Sequence, residues 1–165
     1  GAIVDSVGGF LLASGYEDFL IEAGGDVLVS GVKPGGAKWR IGITHPREQG
    51  GRLGVLDVGE PGERMAVVTS GDYEQYFLAD GHRYHHIIDP KTGYPAQGLA
   101  SVTVIAPDCT HADALATAAF VLGYEKGLAL LNGYPDTEGL LVKETDAGLV
   151  TAGTDSFSLF ESDVY

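Results

Sequence analysis

Apolar side chains recur at Ile3, Val4, Val7, Phe10 and Leu11, and the pattern stops at Gly15. That spacing predicts an amphipathic helix over residues 2–14 with a glycine at its end. The period then shortens. Apolar runs at 19–21 and 27–29, joined through Ala23-Gly24-Gly25-Asp26, predict two short strands. After the Pro34-Gly35-Gly36 turn, residues 38–44 alternate, with Trp39, Ile41 and Ile43 on one face of a strand. Gly50-Gly51 and Pro61-Gly62 bracket a strand over 53–58, and another over 65–69 runs into Ser70-Gly71-Asp72. Asp80-Gly81 predicts a hairpin between residues 73–78 and 84–88. A strand over 102–105 follows, then the strongest helical pattern, 110–122, closed by Gly123. A shorter helix over 124–131 and a hairpin of 140–142 with 149–151 complete the pattern; the tail from Thr154 is left unassigned.

Strands in runs, with helices early and late, predict an α+β fold with a mostly antiparallel sheet rather than a doubly wound one. Neither a repeat nor a linker interrupts the chain, so residues 1–165 read as a single domain. Hydrophobic residues at 44% and charged ones at 20% place the chain among folding sequences rather than disordered ones. Its 25 glycines are about twice the ordinary share of about 7%, which implies many tight turns or close backbone approaches.

Ten basic against 23 acidic residues give a net charge of −13, which repels phosphates and excludes a nucleic-acid partner. A phosphate ligand would need a metal or backbone N–H groups to offset that field. The single cysteine, Cys109, excludes an internal disulfide framework. No apolar run approaches the roughly 18 residues of a membrane span, and no signal-peptide pattern is visible. Gly1 opens directly into a helical pattern without a leading cap, as expected of a cut inside a longer protein.

The densest polar cluster is Arg83-Tyr84-His85-His86-Ile87-Ile88-Asp89-Pro90-Lys91-Thr92-Gly93. Neighbouring residues of a strand face opposite ways, so at most one of the two histidines faces a given site. A neutral imidazole there suits a general base; a plain hairpin with one packed and one exposed histidine is the alternative. In the 110–122 helix, Asp113 and Thr117 stand at i and i+4 on one face. Their hard oxygens suit Mg²⁺, which keeps few protein ligands. On spacing alone, a first-turn dipole contact for Asp113 and a back-bonded Thr117 are the better reading. His111 falls off that face. Thr69-Ser70-Gly71-Asp72-Tyr73 ends a strand in a turn able to present N–H groups to a phosphate. The chain carries no Walker pattern, paired CxxC, G-x-S-x-G or dinucleotide fingerprint.

Taken in order, Gly24-Gly25-Asp26, Trp39-Arg40-Ile41-Gly42-Ile43 with Pro46, Thr69-Ser70-Gly71-Asp72-Tyr73-Glu74, His86-Ile87-Ile88-Asp89-Pro90-Lys91-Thr92-Gly93 and Ala112-Asp113-Ala114-Leu115-Ala116-Thr117-Ala118 resemble the ApbE family. Those proteins are FAD:protein FMN transferases. The resemblance implies an ApbE-like, T-fold-related architecture, of which this chain is the C-terminal half. It implies an Mg²⁺-dependent transfer of FMN from FAD onto a threonine hydroxyl of a target flavoprotein, with release of AMP.

Carried over, Asp113 and Thr117 match the metal positions and His86 the position of the base. Ile87 matches a strand that touches the flavin nucleotide, and Ser70 and Gly71 match cofactor-binding positions. His85 receives no role. The missing N-terminal half would supply much of the FAD pocket, so the isolated chain is expected to be inactive. An exported, membrane-anchored or periplasmic location is implied by the family. The alternatives are an Mg²⁺-dependent FAD pyrophosphatase giving FMN and AMP, and a flavin-binding domain without turnover.

Overall fold

The computed structural model describes residues 1–157. Helix α1 (Ala2–Ala13) leads into β1 (Phe19–Ala23) and β2 (Asp26–Ser30). Strands β3 (Trp39–Thr44), β4 (Arg52–Val58), β5 (Arg64–Gly71), β6 (Tyr76–Ala79), β7 (His82–His85) and β8 (Ser101–Ala106) follow. Helices α2 (Cys109–Leu122) and α3 (Tyr124–Asn132) precede β9 (Glu138–Thr145) and β10 (Gly148–Gly153).

Six strands form one sheet in the order β1-β2-β5-β8-β9-β10, every pairing antiparallel. The α+β expectation therefore holds. β8 lies inside the sheet and all six of its residues are buried, because both its faces are covered. Val102, Val104 and Ala106 pack with Ala112, Ala116, Ala119 and Phe120 of α2. Ile105 faces the other way, into a second cluster with Ile43, Leu56 and Val58 of the β3–β4 ribbon. The sheet is thus sandwiched between helices and a two-stranded ribbon. Alanines at the contact face let the α2 backbone lie close to the strands.

The same two-residue period positions the site. Ala66 and Val68 of β5 belong to the helix-side cluster and Val67 to the ribbon side. Ser70, two residues beyond Val68, therefore points towards α2. Asp108 caps that helix by accepting from the His111 N–H at 2.9 Å, and Gly123 ends it at φ 81°.

The β6–β7 hairpin is shorter than its expected bounds of 73–78 and 84–88. Its turn, Asp80-Gly81, has positive φ at both residues, the geometry that a two-residue hairpin needs. Pairing ends at Tyr76 opposite His85, and Tyr73 instead folds back against Gly71, where an added Cβ would meet the Tyr73 ring at 2.6 Å. His86 falls outside the strand, with its N–H donating to the Gln75 carbonyl. The expected tail from Thr154 is described only to residue 157; residues 158–165 lie outside the described residues.

Candidate functional site

Asp113 and Thr117 sit on the edge of α2 beside its buried stripe, half-exposed and exposed respectively. Across from them, Ser70 Oγ lies 3.2 Å from Thr117 Oγ1. The structure thus gathers three of the sequence-derived residues into one place. Asp113 and Thr117 border an apolar groove of about 840 Å³ walled by Ile88, Pro90, Val121 and Leu122.

A second carboxylate joins them. The Gly1 nitrogen donates to Asp26 Oδ2 at 2.6 Å and to Asp113 Oδ2 at 3.0 Å. Two carboxylates thus converge on one spot. The side-chain donors around it are all oxygens, which matches a hard divalent ion rather than a soft one. Among the described residues no group of three or more His, Cys, Asp or Glu side chains gathers to hold a metal. A metal here would take most of its shell from water and phosphate, as Mg²⁺ does.

The two histidines part company. His85, the last residue of β7, is buried, with Nε2 2.9 Å from the Ala96 carbonyl. Its Nδ1 accepts from the Ile87 N–H at 3.3 Å, and its ring meets Phe120 edge-on at 5.5 Å. The carbonyl can only accept, so Nε2 carries the proton and the ring is neutral. His85 is a packing residue. His86 is exposed, with Nδ1 3.4 Å from the Gln75 carbonyl, which leaves Nε2 facing outwards. His86 does not line the groove beside Asp113; Ile88, two residues on, does.

Two of the residues expected to bind the cofactor, Ile87 and Gly71, are held inside the fold. Ile87 is 5% exposed and belongs to the helix-side core. Its N–H donates to His85 Nδ1 and its carbonyl accepts from the Ala96 N–H. Gly71 is no turn residue: β5 runs through it, paired with Ser101 of β8. The next N–H, of Asp72, donates to the Ala100 carbonyl. Gly71 is glycine because Tyr73 covers it, and only the Ser70 hydroxyl of this stretch reaches the site.

The ApbE family model matches residues 1–141. The chain belongs to the ApbE family. It is 39% identical over 160 residues to the FAD:protein FMN transferase of Vibrio cholerae, covering 96% of this chain and 47% of the relative. To the enzyme of that name from Treponema pallidum it is 41% identical over 152 residues, covering 86% and 41%. Among solved structures, the flavin transferase ApbE from Vibrio cholerae superposes with a TM-score of 0.78 at 36% identity, covering 93% of this chain and 48% of that one. The ApbE protein from Thermotoga maritima gives 0.75 at 43% identity, covering 87% and 45%. The chain spans about half the length of the curated relatives it matches.

This ApbE chain also carries a charged network that the sequence did not reveal. Arg47 grips Asp72 with two bonds of 2.7 Å and reaches Glu144 Oε2 with a third of 2.7 Å. Arg83 adds a bond of 3.0 Å to Asp72 and lies over the Tyr76 ring at 4.5 Å. Burial would lower the Arg47 pKa, but the bonds to Asp72 and Glu144 raise it instead. Asp72, just past β5, thereby ties the β3–β4 connection to the β6–β7 hairpin, and Arg47 carries the link on to β9. Arg47 and Glu144 are 97 residues apart, and no local spacing signals such a partner. The lone thiol is chemically quiet: burial pushes Cys109 up to about 12.

Proposed function

We propose that this chain carries the metal-bearing part of an FAD:protein FMN transferase, acting with a further polypeptide portion equivalent to what its relatives have and it does not span. The convergence of Asp113 and Thr117 on one apolar groove, with the Ser70 hydroxyl 3.2 Å from that of Thr117, carries this reading. Asp113 and Thr117 would hold Mg²⁺, with Asp26 beside them. Bound there, Mg²⁺ supplies positive charge to the pyrophosphate oxygens, the chief need of transfer at phosphorus.

The residues of the chain divide the remaining work. The Ser70 hydroxyl, beside Thr117, is placed to bond a phosphate oxygen. The groove walls of Ile88, Pro90, Val121 and Leu122 exclude water from the attached nucleotide. His86, anchored through Nδ1–H to the Gln75 carbonyl, presents the lone pair of Nε2 to an acceptor threonine hydroxyl. His86 Nε2 takes the proton as the threonine Oγ bonds to the FMN phosphorus, and the phosphorus–oxygen bond to the AMP phosphate breaks. AMP leaves with that electron pair.

The test joins this chain to the portion of the Vibrio cholerae relative that it does not span. FAD and a threonine-bearing acceptor peptide are added with and without Mg²⁺. Fluorescent labelling of the peptide with matched AMP release is expected. AMP release with free FMN and an unlabelled peptide would instead show a pyrophosphatase.

A further inference from the structure

Four carboxylates surround the start of α2: Asp5, Asp26, Asp108 and Asp113. Two of them, Asp26 and Asp113, face the Gly1 nitrogen. Asp108 is spent on the helix's own cap, accepting from the His111 N–H at 2.9 Å and facing His111 Nδ1 at 2.7 Å. Asp5 has no such local partner. It sits on α1, more than a hundred residues away in sequence, and gives both its oxygens to the first residues of α2. Oδ1 accepts from the Cys109 N–H at 2.9 Å. Oδ2 accepts from the Thr110 N–H at 2.8 Å and from the Thr110 hydroxyl at 2.5 Å.

We infer that Asp5 is a positioning residue: it fixes the axial placement of α2 and so sets where Asp113 and Thr117 stand against Ser70. The reading rests on the metal role proposed for Asp113 and Thr117. Three features point the same way. The large buried side chains of α2, Leu115 and Phe120, lie further along it, while its start packs through small residues such as Cys109 and Ala112 and so has little side-chain relief to hold it in place. An end tether is what supplies that hold. Asp5 provides three bonds from a different element, whereas Asp108 belongs to the chain entering α2 and moves with it. Beside Asp5, the two helices are also in direct backbone contact: a Cβ on Gly1 would meet the Cys109 carbonyl oxygen at 2.5 Å and Thr110 Cα at 2.9 Å. The spacing Gly1 to Asp5, one helical turn, lets one helix end press on α2 and bond it at once. Asp113 lies one turn beyond Cys109, so an axial slip at the tether is passed directly to it and to Thr117.

Asp108→Ala serves as the control, because it removes a cap from the same helix end without freeing α2 from α1. Amide hydrogen exchange is measured on Asp5→Asn and Asp108→Ala, alongside Mn²⁺ binding by electron paramagnetic resonance. Asp5→Asn is expected to speed exchange through Asp113 and Thr117 by at least about tenfold. It should also weaken Mn²⁺ binding by about fivefold or more, the kind of loss seen when the support behind a ligand is removed. Asp108→Ala should speed exchange only in the first turn and leave Mn²⁺ affinity within about twofold. Thr110→Val removes the hydroxyl arm alone and should give the Asp5→Asn pattern more weakly; it decides the matter if Asp5→Asn does not fold. Matching exchange profiles for the Asp5 and Asp108 variants would overturn the inference, whatever the metal result. Mn²⁺ binding that is absent, or that survives Asp113→Ala, would contradict the metal reading and leave the exchange data to decide the role of Asp5.

Discussion

Ser70 Oγ meets Thr117 Oγ1 at 3.2 Å, joining the end of β5 to the third turn of α2. The contact brings a strand-end hydroxyl to the helix that carries Asp113. A residue picked from a strand motif and a pair picked from helical spacing thereby become neighbours, 47 residues apart.

Asp113 is half-exposed, with 47% of its side chain accessible, so its removal should cost little stability. Asp113→Ala is expected to change the unfolding free energy by less than about 1 kcal/mol, the scale of an exposed ion pair. Mn²⁺ binding should fall at least tenfold. Urea unfolding and a paramagnetic titration of the same sample check both. A large stability loss with unchanged metal binding would return Asp113 to a structural role.

The two histidines should separate cleanly. His86→Ala is expected to slow flavin transfer by about 10²–10⁴, the worth of a general base, while leaving the melting temperature nearly unchanged. His85→Ala removes a buried ring with two hydrogen bonds and an aromatic contact. It should destabilise the fold by about 2–4 kcal/mol. Calorimetry paired with peptide-label fluorescence distinguishes them, and equal effects on both readouts would refute the assignment.

Asp72 is buried between two arginines. Asp72→Asn should cost about 3–5 kcal/mol, because it leaves the two guanidiniums short of a counter-charge. Guanidinium unfolding measures the loss. A change below about 1 kcal/mol would mean that water already serves these groups.

Asp108 gives a pH signature. Burial alone would raise its pKa, but the bonds from the His111 backbone and ring hold it below the ordinary 3.8. A carboxylate depressed in the folded state contributes stability that is fully present above its unfolded value and is lost as pH falls through the folded one. Wild type should therefore lose stability below about pH 4 more steeply than Asp108→Asn. Parallel curves between pH 5 and pH 2 would contradict this.

Much of the fold was legible because it follows from period. The helical spacing of Ala112, Leu115, Ala116 and Ala119 marked α2, and the β-branched run at 102–105 marked β8. Asp113 and Thr117 were readable for the same reason. The histidine pair was read as strand alternation, yet His86 turns outwards because the strand ends before it. The burial of Ile87 in the helix-side core was not legible, because a motif match does not say which way a side chain points. Asp5, Asp26, Arg47 and Glu144 were not assigned, since each meaning comes from a partner distant in sequence.

A 165-residue chain spanning about half of its relatives' length should hold FAD poorly by itself, since binding along the whole substrate is what positions the reacting phosphorus. Fluorescence quenching is expected to show weak or no FAD binding by the chain alone. Binding should return when the unspanned portion of the Vibrio cholerae relative is joined to it or added as a second chain. Tight binding by the isolated chain would show that this half holds its own nucleotide pocket.

The central claim is that Asp113 and Thr117 bring Mg²⁺ to a flavin transfer. Labelling of a threonine peptide by the joined protein, followed by flavin fluorescence across an Mg²⁺ titration, tests it most directly. The wild-type rate should rise with Mg²⁺ and vanish in EDTA, while Asp113→Ala and Thr117→Ala should need far more Mg²⁺ or show no labelling. Labelling that persists in EDTA, or that is unchanged in both variants, would contradict the account.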